Sequence, residues 1–173
     1  MHRLVVVWVL LAGASADAAP RAWNMKLEGH HGLQGRSSYQ PVPHRYGNRW
    51  ILFVGHHAGE ARNPKSGIME RGGMSILDVT DPSNPIFLHH QPPSGEEANG
   101  TQHVQVCDGS ALPNAPADRV YVLRTNGQIH QEIWDVTEPT QPVFVTTILT
   151  TGYTENGRRE THKNLWDCGS GVG

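Results

Sequence analysis

The chain has 173 residues, 37% hydrophobic and 17% charged, with 14 Lys plus Arg against 16 Asp plus Glu and a formal net charge of -2. That is an ordinary globular composition, and it excludes both a basic nucleic-acid surface and an acidic tail. The exception is histidine, with 11 copies, a large supply of side chains that ligate metals or titrate near neutral pH.

At the start of the chain His2 and Arg3 precede an apolar run from Leu4 to Leu11, followed by small residues ending at Ala16-Asp17-Ala18. This is the pattern of a secretory signal peptide cut after Ala18. The run is shorter than the ~20 residues that span a bilayer, and no later stretch is apolar enough to span. The expectation is an exported chain (periplasmic, extracellular or at the cell surface) with a signal peptide over 1–18 and a mature protein over 19–173.

Two stretches then repeat. Ile76-Leu77-Asp78-Val79-Thr80-Asp81-Pro82 returns as Ile133-Trp134-Asp135-Val136-Thr137-Glu138-Pro139, and the match runs on to Pro85 over Pro142 and Phe87 over Phe144. Around the second copy, residues 101–109, 119–125, 129–137 and 142–149 read as four short strands by alternation and β-branched content, with Asn126-Gly127 as a hairpin turn. Around the first copy the same order places strands near 24–32 and at 49–57, 73–80 and 85–91. Residues 161–169, "THKNLWDCG", resemble the opening strand of a third unit.

Four-stranded units repeated at this spacing predict an all-β fold of β-propeller blades. One unit covers about 24–92, the next 101–149, and an incomplete one starts at 161, so the chain reads as a partial propeller. A two-sheet β-sandwich is the alternative architecture. Leu77, Trp134 and Trp166 share the slot before an Asp, where packing between blades or sugar stacking are the available roles. The loops at 56–73 and 91–103 are long, which suits binding.

In a propeller the first strand of each blade lines the channel. His31, His103 and His162 fall at the starts of expected first strands and His57 ends a second strand. Together they are candidate ligands for a transition metal at the channel mouth, Cu or Zn, with Glu60, Glu97 and Glu160 as possible oxygen ligands or supporting acceptors. His89 and His90, on an outermost strand, read as solvated. Cys107 and Cys168 pair with each other, ligate metal or stay as separate thiols.

The copies "MSILDVTDPSNP" and "QEIWDVTEPTQP" resemble the LVIVD repeat of secreted bacterial and archaeal proteins, over most of the chain from about residue 22, and the resemblance implies a β-propeller. A looser similarity, carried by the Asp-Val strand and by histidines in "GHHG", "VGHHAGE", "TQHVQV" and "ETHKNLW", is to the selenium-binding protein and methanethiol oxidase group. That similarity implies copper-dependent oxidase chemistry. No nucleotide-binding, zinc-protease, calcium-loop or serine-elbow pattern occurs. The functional expectation is therefore binding or scaffolding of a surface or small-molecule ligand, with a metal-dependent oxidoreductase as the alternative. Neither a nucleic-acid partner nor a membrane span in the mature chain is expected.

Overall fold

The computed structural model describes residues 24–95, 100–149 and 162–172; the expected signal peptide lies outside them. The fold is all-β, with two separate antiparallel sheets. The first has strands β1 (Tyr39–Tyr46), β2 (Arg49–Arg62), β3 (Met69–Asp78) and β4 (Ile86–Gln91) in sequence order. The second has β5 (Val104–Asp108), β6 (Val120–Asn126), β7 (His130–Asp135) and β8 (Val143–Ile148), again in order. Among the described residues no helix is long and apolar enough to cross a membrane.

The repeated motif makes the same bonds in each sheet. Asp78 accepts the N–H of Thr80 at 2.9 Å and a guanidinium bond from Arg49 at 3.0 Å. Asp135 takes the N–H of Thr137 at 2.9 Å and Arg119 at 3.1 Å. The hydroxyl of Thr80 accepts the N–H of Trp50 and that of Thr137 accepts the N–H of Val120. Each Asp-Val-Thr run thus folds its own turn and ties the end of the third strand to the start of the second. Both sheets also carry a register shift in the same place, between Ile76 and Leu77 and between Ile133 and Trp134.

Alternation then sorts the side chains. Ile51, Phe53, Met74 and Ile76 point from the first sheet into a shared core with Val104, Val122, Trp134 and Val136 of the second. Leu77 and Val54 point the other way, into a smaller cluster with Leu33. Leu52 pairs with Leu77, and Val122 with Trp134. Corresponding positions therefore lie on opposite sides of the shared core, and the front of the first sheet packs on the back of the second.

Several expectations are corrected. The first strand of the first sheet is not at 24–32 but at β1, which holds Pro41 and Pro43. An edge strand tolerates prolines because the missing N–H removes no ladder bond. Much of the loop expected at 56–73 is strand: β2 and β3 continue past a register shift to pair Glu60 with Arg71 and Arg62 with Met69. Residues 162–168 are not a regular strand; their single bridge joins Asp167 to Val172. His90 is not solvated, being 1% exposed.

Candidate binding site

The back of the first sheet carries a cleft of about 370 Å³, floored by Leu52, Val54, Leu77 and Val79 and rimmed by His30 and His31. Residues 33–38 form a strap across this face. Leu33 plugs into the apolar cluster, and Arg36 donates to the carbonyls of Ala61 at 2.8 Å and Glu70 at 3.3 Å. His31 stacks parallel to Phe87 with ring centroids 6.3 Å apart. Its Nδ1 accepts the N–H of Leu33 at 3.1 Å, so its proton sits on Nε2. Burial lowers its pKa, and neighbouring His30 lowers it further.

Beneath the strap lies a buried polar chain. His56 Nδ1 meets the carbonyl of Ser37, and His56 Nε2 meets Ser75 Oγ at 2.7 Å. Ser75 Oγ lies 3.2 Å from His90 Nδ1, and His90 Nε2 lies 3.0 Å from the carbonyl of Arg71. Burial holds the pKa of His56 down to about 4 and that of His90 to about 3, with the Arg36 charge opposing protonation of both.

A second polar group closes the back of the second sheet. Arg124, fully buried, binds Glu132 at 2.8 Å and lies 5.1 Å over the ring of Trp134. It also donates to the carbonyls of Gln91 and Pro92, holding the connector between the sheets. Glu132 accepts the indole N–H of Trp134 at 2.8 Å. Its carboxyl pKa stays low because Arg124 and these hydrogen bonds outweigh burial, the largest single influence, which acts to raise it. This corner is saturated with internal bonds and offers a ligand little.

The third polar area is where the first strands begin. His57 is exposed, meets the ring of Tyr39 edge-on, and lies 3.4 Å from the amide of Gln102. His103 Nδ1 is 2.6 Å from Asn164 Oδ1. Gln105 bonds the backbone of Trp166, and Cys107 and Cys168 form a disulfide. Residues 103, 105 and 107 on one side of β5 thus hold 164, 166 and 168. The oxidised pair closes the row, so neither sulfur is available to a metal.

The expected metal centre is corrected on this geometry. Among the described residues no group of three or more His, Cys, Asp or Glu could hold a metal ion. His31 is engaged with Phe87 and Leu33 on the back of the first sheet, His57 neighbours Tyr39 and Gln102, and His103 is bonded to Asn164. His162 is exposed on the segment leading to Asn164, and Glu60 is exposed opposite Arg71. Glu97 and Glu160 lie outside the described residues. A Cu or Zn site is therefore withdrawn, and with it the ligand set of the oxidoreductase alternative.

Sequence reasoning missed His56, Ser75, His90, Arg124 and Glu132. A signal existed for two of them: Ser75 and Glu132 each precede the Ile-x-Asp-Val run by one residue, where β alternation turns a polar side chain onto the same buried face as Leu77 and Trp134. Comparison with family models, with curated proteins and with solved structures gave no match to this chain.

Proposed function

We propose that the chain carries two consecutive blades of an exported β-propeller of the LVIVD-repeat kind, with a role in binding or scaffolding at the cell surface or in the periplasm. The observation that carries this reading is the front-to-back packing of the two sheets. In a sandwich the two sheets turn their inner faces toward each other and the stack ends there. Here Ile76 lies inside the shared core while Ile133, at the corresponding position, lies outside it, so the arrangement extends in one sense, as blades do around a ring. The row from His103–Asn164 to Cys107–Cys168, at a constant separation of 61 residues, is what the first strand of a following blade requires.

The binding part of the reading rests on the cleft behind the first sheet and on the exposed His57 and Tyr39 neighbourhood. The test has two arms. Fractionation of producing cells, with N-terminal sequencing, is expected to find the protein outside the cytoplasm and beginning at Ala19. Size-exclusion chromatography with light scattering on residues 19–173 is expected to find association. A monodisperse monomer with a sharp thermal transition overturns the open blade stack.

A further inference from the structure

The histidines beneath the strap pose a proton-counting problem. Carbonyl oxygens only accept, so the Ser37 carbonyl requires a proton on His56 Nδ1 and the Arg71 carbonyl requires one on His90 Nε2. A neutral imidazole has one N–H. The two remaining nitrogens are both lone pairs, and both face the hydroxyl of Ser75, which has a single proton to give. The 2.7 Å contact to His56 takes it, and the 3.2 Å contact to His90 is left without a hydrogen. One added proton, on His90 Nδ1, completes the chain from His90 through Ser75 to His56 without moving a heavy atom.

That proton arrives as a charge with no compensating partner. His56 and Ser75 are 0% exposed and His90 is 1% exposed, and the two rings are 5.5 Å apart. From the strap they are faced by the Arg36 guanidinium, whose charge opposes theirs. From β3, Glu70 has its carboxylate on Asn63 and Ser66, and the Arg71 side chain reaches the carbonyl of Gly95. His57 on β2 turns to Tyr39 and Gln102, and His89 on β4 turns to Gln91.

The strap is the layer least able to resist. Leu33 and Gln34 sit in the left-handed region, at φ 49 and 55, a strained conformation for side chains other than glycine. The Nε of Arg36 is buried without a hydrogen-bond partner. Removing the strap uncovers the side of His56 that the Ser37 carbonyl closes and takes the Arg36 charge away from both rings, so both bind protons more readily and acid favours the strap-off state. We propose that His56, Ser75 and His90 form an acid sensor whose protonation releases residues 33–38 from the back of the first sheet and opens the cleft beneath them.

The test is NMR and hydrogen exchange on residues 19–173, in solution or, where the chain associates, by magic-angle spinning of the sedimented protein. Ring 15N shifts at neutral pH are expected to show opposite tautomers, Nδ1–H for His56 and Nε2–H for His90. Between pH 7.5 and 4.5 the Gly35 and Arg36 amides are expected to lose at least roughly tenfold in exchange protection after correction for intrinsic rates, while Val122 and Leu123 keep theirs. His90→Gln is expected to cut the loss of strap protection at pH 4.5 to roughly half on a logarithmic scale, the part that remains being driven by His56. Ser75→Ala, which in the strap-on state takes the donor from His56 Nε2 and the acceptor for a proton on His90, weakens that state in both protonation forms, so release is expected to move to higher pH; this variant serves if His90→Gln does not fold. Identical tautomers, unchanged strap protection at pH 4.5, or loss of Val122 and Leu123 together with the strap would each overturn the proposal.

Discussion

Leu77 and Trp134 hold the same place in the two sheets, each just before the Asp of the repeated turn, yet Leu77 packs outside the sheet pair and Trp134 packs within it. Trp134 also meets Phe144 edge-on at 5.4 Å and donates to Glu132. Trp134→Ala is therefore expected to cost about 3–5 kcal/mol, as large-to-small changes in a core do. Trp134→Phe keeps most of the volume and loses the indole bond, for about 1–2 kcal/mol. Urea denaturation of both variants checks the order.

The buried ion pair gives a second expectation. Glu132→Gln leaves the Arg124 charge enclosed without a compensating carboxylate, and breaking such a pair from one side costs about 3–5 kcal/mol. Arg124→Met combined with Glu132→Leu removes both charges and is expected to be less harmful than Glu132→Gln alone. Recovery stays incomplete because the Gln91 and Pro92 carbonyls lose their donor. Melting curves of the three proteins decide it.

The second sheet was legible in the sequence almost residue by residue, because Asn126-Gly127 and the Asp135 turn punctuate clean alternation. The first was less so. Pro41 and Pro43 disguise β1, and the hairpin beyond His56 is built by pairing across a register shift, which no local pattern marks. The histidines misled for a different reason. Their number suggested convergence, whereas two adjacent histidines in a strand point to opposite faces: His56 is buried beside Ser75 while His57 faces outward. Which face is covered depends on the strap, and the strap comes from a segment whose own sequence has no periodicity.

The Cys107–Cys168 bond closes a loop with a sequence separation of 61, for which chain entropy gives about 4 kcal/mol. Cys168→Ser is expected to lose a stabilisation of that order. Hydrogen exchange should localise the change first to residues 162–172, which the disulfide and the Asn164 and Trp166 bonds hold against β5. An equal fall across both sheets accompanies the loss of global stability, whereas unchanged protection at 162–172 would contradict the clasp.

Tyr46 offers an alkaline test of the joint between the sheets. Its hydroxyl donates to the carbonyl of Val136 at 2.9 Å. Burial, reinforced by Asp108, Asp135 and Glu138, pushes its pKa far above the usual phenol range, against Arg49. A group whose folded pKa is raised contributes stability that is fully present below the unfolded value, near ~10, and is lost as pH rises from there toward the folded value. At pH 7 Tyr46→Phe should cost about 1 kcal/mol, the worth of one hydrogen bond. Above about pH 10 the unfolded wild type gains from ionising Tyr46 and the variant does not, at ~1.4 kcal/mol per pH unit. The two stability curves are therefore expected to cross near about pH 11. Denaturation at pH 7 and at pH 11.5 measures the crossing, and a spectrophotometric titration should find Tyr46 missing from the first step of tyrosine ionisation. Curves that stay parallel would mean that Tyr46 ionises as readily in the folded protein as in the unfolded chain, and that β1 does not seal against the second sheet at this point.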